Sequence, residues 1–236
     1  MNFSKNEKLI IFKTLRLTLY FTILVGAVYS MHFLATFLHE NTFTENGVVE
    51  NIQLSFLTLA GIIFSVEALT FKKYRPILFL LASLCFLGSC RKLDEVLDRK
   101  FAPISWRIGF IFPVAALINL AYHRKNITKH LLKFLDSPAF YMMFSAMVAI
   151  LPFGELIGHG PFVANVLGPE NKAAVKELFE EACELLGYLI ILLSTFECFL
   201  FVRKKITFQA RQKSGFFHAI SSNFNLKLKH QSYIKR

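Results

Sequence analysis

Residues 52–90 read IQLSFLTLAGIIFSVEALTFKKYRPILFLLASLCFLGSC, two apolar runs divided by the basic stretch FKKYR at 71–75. A bilayer core about 30 Å thick takes roughly 20 apolar residues of a helix rising about 1.5 Å per residue. The first run, 52–71, meets that length with Glu67 as its only charge. The second, 76–90, is shorter and opens on Pro76, whose missing N–H is harmless in the first turn of a helix. The stretch is therefore read as an antiparallel pair of spanning helices joined by a tight turn holding Lys72, Lys73 and Arg75.

The same test applied outward finds further runs at 15–37, 108–122, 139–157 and 185–202. The expected fold is all-α: a six-helix transmembrane bundle over 1–202, followed by a basic tail over 203–236. Composition agrees, because 54% of the 236 residues are hydrophobic and only 18% charged, more apolar surface than a soluble domain of this size can hide. The formal charge of +11 is spread between the apolar runs and forms no single stripe, so the expected partner is the lipid bilayer and not nucleic acid. Cys85, Cys90, Cys183 and Cys198 all fall in apolar segments without CxxC spacing and are read as packing residues, a Cys90 to Cys183 bridge being the one conceivable pairing. The first run is too long for a signal peptide and is expected to stay as an anchor.

Orientation follows from Lys and Arg, which are retained on the cytoplasmic side. With the N-terminus inside, 20 of the 27 basic residues fall in inner segments: Lys5 to Arg16, Lys72 to Arg75, Arg124 to Lys133, and nine in the tail. A multi-pass protein of the cell membrane with both termini cytoplasmic is expected. The tail has no Asp or Glu but carries Phe208, Phe216, Phe217, Phe224 and Tyr233. Arg203, Lys204, Lys205, Arg211 and Lys213 are thus expected to meet anionic lipid headgroups, at about 1 kcal/mol for each basic residue close to the surface. Solvated topology signal and partner-binding tail are the other readings of the same composition.

Twelve of the 16 acids fall in the opposite half. Their spacings are helical: Glu50 and Gln53 at i and i+3 entering the second run; Arg91, Glu95 and Asp98 at i, i+4 and i+7 leaving the third, with Asp94 beside them. Glu155 and His159 stand at i and i+4 leaving the fifth, and Glu177, Glu181 and Glu184 lead into the sixth. The expected polar pocket is drawn from Glu50, Gln53, Arg91, Asp94, Asp98, Glu155, His159, Glu181 and Glu184, with His32 and His39 near enough to join. Deeper in the bilayer, Glu67 and Glu197 are read as structural, neutralised by nearby Lys and Arg. Pro113 and Pro152 are expected to kink their helices.

The chemistry depends on what neutralises these acids. Carboxylates that repel raise one another's proton affinity, which suits proton-coupled transport. A divalent metal on Glu50, Asp94, His159, Glu181 and Glu184 would instead suit a membrane enzyme acting on lipid or lipid-linked substrate. Pairing with Arg91, Lys92, Lys172 and Lys176 would leave an acidic crown that only holds the bundle together, as in a non-catalytic assembly subunit. The sequence has no Walker A loop, GxSxG elbow or HExxH. Glu180 and Glu181 resemble the start of the EExxxR motif of CAAX-type intramembrane proteases, but Leu185 stands where the arginine belongs, so that activity is not carried over. The leading expectation is a small transporter or ion-coupled carrier.

Overall fold

The computed structural model describes residues 4–38, 47–94, 97–98, 105–154 and 178–204, and among these no strand occurs. Helix α1 (Lys5–Leu38) starts on a reciprocal cap in which Ser4 N–H donates to Glu7 Oε2 at 2.7 Å and Glu7 N–H donates to Ser4 Oγ at 3.3 Å. Then come α2 (Val48–Thr70) and α3 (Arg75–Lys92), with Pro76 in the first turn of α3 as the sequence requires. A 3₁₀ turn (Ser105–Phe110) runs into α4 (Ile111–Tyr122), followed by α5 (Arg124–Leu135), α6 (Pro138–Val148) and α7 (Leu178–Lys204). The chain divides into Met1–Cys198 and Phe199–Arg236. Of the second unit, 199–204 are described, where the Arg203 guanidinium lies 6.0 Å over the Phe199 ring and both Arg203 and Lys204 are exposed.

The pair α2 and α3 is the antiparallel hairpin read from the sequence. Thr58 Oγ1 meets Ser89 Oγ at 3.2 Å, and a methyl on Gly61 would come within 2.9 Å of Phe86, so these helices pack closely along their length. Arg75 closes the turn by donating from Nε to Ala68 O at 3.1 Å, satisfying a carbonyl that the end of α2 leaves open. Beyond the hairpin, α3 packs on the 3₁₀ turn and α4, where Gly109 lets the backbone approach Cys90.

Three helices are long and apolar enough to cross a bilayer: Asn6–Leu34 of α1, Val48–Thr70, and Leu178–Lys204. A fourth joins them when the bent pair Ile127–Leu135 and Pro138–Gly154 is taken as one span. The runs expected at 76–90 and 108–122 do form helices but fall short of the test. Arg75, Arg91 and Lys92 all lie within the 18 residues of α3, and the apolar stretch Trp106–Tyr122 begins in 3₁₀ geometry. These helices are compatible with a membrane protein.

The basic connection at 123–137 is a helix in its own right. In α5, Ile127 and Phe134 are buried at i and i+7, whereas Lys129 is exposed. The axis then turns by 67° into α6, at a buried Ser137 whose Oγ accepts from Phe140 N–H at 3.2 Å and which is followed by Pro138. Pro152 lies in a π-helical turn, Ala149–Gly154, that continues α6, the irregularity expected where proline removes a ladder hydrogen bond. Pro113, by contrast, sits in the first turn of α4, where no such bond is lost. Gly187 of α7 faces this turn; a methyl there would run into Ile150 and approach Ala146 O at 3.3 Å.

Candidate functional site

Where α2 begins, α3 ends and α7 begins, four polar side chains converge. Gln53 is fully buried, and its Nε2 donates to the Glu181 carbonyl at 2.9 Å and to Glu181 Oε2 at 2.7 Å. Lys92 Nζ lies 3.3 Å from the other oxygen of the same carboxylate and 2.5 Å from Glu184 Oε2. Arg91 Nη2 reaches Glu184 Oε1 only at 4.0 Å and is half exposed. An apolar cluster of Met31, Val49 and Leu185, joined by Ile52, Phe56, Ala182 and Leu186, brings residues of α1, α2 and α7 together.

The electrostatics centre on Lys92. Burial works against its charge, but the carboxylates of Glu184 and Glu181, helped by Glu50, outweigh it and hold the ammonium above the usual lysine range. Glu181 and Glu184 at i and i+3 on one helix would repel if both were bare. Lys92 stands between them and Gln53 fixes the orientation of one, so a single ammonium serves two carboxylates. Gln53 Oε1 is buried without a hydrogen-bond partner. Each remaining acceptor is a position that a proton, a cation or a ligand donor would satisfy.

Of the residues read from the sequence as a pocket, Gln53, Arg91, Glu181 and Glu184 are brought together, with Glu50 within electrostatic reach of Lys92. Asp94 and Asp98 lie on exposed positions past the end of α3. Glu155, His159 and Glu177 lie outside the described residues, as do His39, Lys172, Lys176, Lys205, Arg211 and Lys213. His32 is described and exposed on α1. Among the described residues no group of three or more His, Cys, Asp or Glu is placed to hold a metal ion, and the position between Glu181 and Glu184 is taken by an ammonium. All four cysteines are free, so the Cys90 to Cys183 pairing is not made.

Lys92 is the residue that sequence reading undervalued. It stands next to Arg91, and helical periodicity could have separated them: Lys92 is i+3 from the buried Ser89, which faces α2, whereas Arg91 is not on that face.

A second polar group lies 13 residues further along α7, about 20 Å at 1.5 Å per residue. There Glu197 Oε1 pairs with the Arg16 guanidinium and accepts from Tyr20 O–H at 3.0 Å, tying α1 to α7. This is the neutralisation that the sequence suggested for Glu197.

No family model matches this chain, and no curated protein or solved structure matches it either.

Proposed function

We propose that this chain is a multi-pass integral membrane protein that carries a small solute or ion in exchange for, or together with, protons. The cluster of Gln53, Lys92, Glu181 and Glu184 is its binding centre. The observation that supports this reading is a lysine shared by two carboxylates in a largely buried site, the side chains of Lys92, Glu181 and Glu184 being 10%, 19% and 6% exposed. Ion pairs in such positions contribute little net stability, because desolvation offsets the attraction, so a purely structural role is a weak reason to keep three charges there. A shared lysine does offer exchange. When it commits to one carboxylate, the other is released to a proton or a cation, whose binding adds the positive charge that the second carboxylate lacks.

The proposal includes the six-span topology with both termini cytoplasmic, the cell membrane as location and an anionic leaflet as partner of the tail. Its test is flux in sealed vesicles. The full chain, reconstituted with an entrapped pH-sensitive dye and a panel of cations and small acids outside, is expected to move protons together with one of them. Glu181→Gln should fold and lose the movement. Vesicles of wild-type protein that stay as tight as empty ones with every solute of the panel would overturn the carrier reading.

A second reading, a non-catalytic assembly subunit, is favoured by α1. Only 6% of its apolar stretch is buried, and Tyr29, Phe33 and Phe37 stand 71%, 58% and 67% exposed. That surface suits a helix of another chain as well as lipid. Co-purification of a stoichiometric partner, together with tight vesicles, is the outcome that reading requires.

A further inference from the structure

The second polar group contains two acids of opposite circumstance. Glu197 is 4% exposed and has both a guanidinium and a phenol on its carboxylate. Glu67 on α2 is equally buried, at 4%, yet neither of its oxygens has a hydrogen-bond partner. The Cys198 thiol lies beside it as a weak donor short of a full hydrogen bond, and among the described residues no cation pairs with it. A bare carboxylate withdrawn from water without a counter-ion is unfavourable by several kcal/mol or more, and such a group takes up a proton instead. Glu197 has the Arg16 guanidinium beside it; Glu67 has no such partner among the described residues.

The surroundings of Glu67 are a series of groups that both give and accept protons. Next to the Cys198 thiol comes Tyr74, buried in the turn between α2 and α3 and within electrostatic reach of that thiol. The Tyr74 ring meets His130 of α5 edge-on, with centroids 5.1 Å apart. His130 is only half buried, on the helix that carries the exposed Lys129 and Arg124. Thiol, phenol and imidazole thus lead from a buried acid to a water-accessible helix. Of the cations in that turn, Lys72 and Lys73 are exposed and Arg75 is committed to the carbonyls of Ala68 and Leu69.

We propose that Glu67 is a proton-carrying carboxyl, loaded from the His130 side, and the second station of the path whose first is the Lys92 cluster. This rests on the carrier reading above. In each step an O–H, S–H or N–H bond of the donor breaks as the corresponding bond forms on the acceptor. No electrons change hands, and the proton enters from water at His130. Glu67 of α2, beside Cys198 of α7, and the shared-lysine pair near the start of α7 are then two separate titratable stations.

The experiment uses the full chain in liposomes of mixed zwitterionic and anionic phospholipid, with two readouts. Infrared spectroscopy at neutral pH is expected to show the carbonyl stretch of a protonated carboxylic acid that shifts in heavy water and is missing from Glu67→Gln. Proton uptake into the same vesicles is expected to fall to the level of empty ones in Glu67→Gln and to survive in part in Glu67→Asp. Protection of the buried Cys85 and Cys198 thiols from a maleimide confirms that each variant is folded; the near-isosteric amide replaces an acid already neutral and should not disturb the packing.

A band that is absent from the wild type, or unchanged in Glu67→Gln, overturns the proposal whatever the flux. A band lost in a folded Glu67→Gln that still carries protons also overturns it, while the carrier reading stands. Wild-type vesicles that are proton-tight under every gradient remove the carrier reading, and this proposal with it, even when the band is seen.

Discussion

Lys92 at the end of α3 and Glu184 at the start of α7 pair at 2.5 Å, with side chains 10% and 6% exposed. Removing one partner of a pair this buried strands the other charge, which destabilises proteins by about 3–5 kcal/mol. Lys92→Met is therefore expected to unfold well below the wild type in detergent, with maleimide labelling of Cys85 and Cys198 as the readout. Adding Glu184→Gln to it should recover part of the loss, since the stranded charge goes too. A double variant no more stable than Lys92→Met would mean that Glu181, and not Glu184, is the dominant partner.

The same pair sets an alkaline limit. Lys92 is held above its ordinary value of 10.5, burial opposing and the three carboxylates prevailing. A group whose folded pKa is raised contributes stability that is complete below the unfolded value and is lost as the pH rises through the folded one. Stability from this lysine should thus be flat across the neutral range and fall only above 10.5. Other alkaline titrations are common to both proteins, so the difference between wild-type and Lys92→Met melting temperatures isolates it. That difference should be constant at neutral pH and shrink in strong alkali; a difference already shrinking near pH 8 would contradict the pairing.

Packing between α6 and α7 hangs on Gly187. With Ile150 and the Ala146 carbonyl already against its Cα, Gly187→Val has nowhere to put two methyl groups. Overpacking of this kind costs about 1–3 kcal/mol. Ile150→Ala should relieve the clash and restore much of the loss in Gly187→Val, measured by the same thermal labelling. If Gly187→Val melts like the wild type, the π turn at 149–154 is not seated on α7.

How far the sequence could lead is clearest at particular residues. The hairpin was legible because FKKYRP concentrates charge and a proline between two apolar runs, and local chemistry alone dictates that turn. Gln53, Glu181 and Glu184 were legible as polar residues at helical spacing near helix ends. Spacing, however, tells which residues share a face and not which faces meet, so the pairing of Gln53 with Glu181, 128 positions apart, had to come from the fold. The same gap hid the contrast between Glu67 and Glu197. Both are lone acids near helix ends, and only tertiary packing gives Arg16 to one and leaves the other without a cation among the described residues. At 123–137 the buried Ile127 and Phe134, seven residues apart, were a helical signal set among six basic or imidazole residues.

That basic helix carries the last prediction. With Ile127 and Phe134 turned to the protein, α5 leaves Leu132 63% exposed and Leu135 37% exposed, close to the cations Arg124, Lys129 and Lys133. Its axis is bent by 67° from α6. A helix with apolar tips among lysines, running across the direction of a spanning neighbour, fits the boundary between acyl chains and headgroups, where buried apolar area and attraction to anionic lipid act together. Single spin labels at Leu132→Cys and Lys129→Cys should therefore report different surroundings in liposomes. The first is expected to be relaxed more by lipid-soluble oxygen, and the second more by a water-soluble nickel chelate. Raising the anionic lipid fraction should move the position 132 label deeper, and 1 M salt should reverse part of that shift, because about 3 Å of screening length remains at that ionic strength. Equal nickel accessibility at both positions, unaffected by lipid charge, would put α5 in water and leave its lysines as topology signals only.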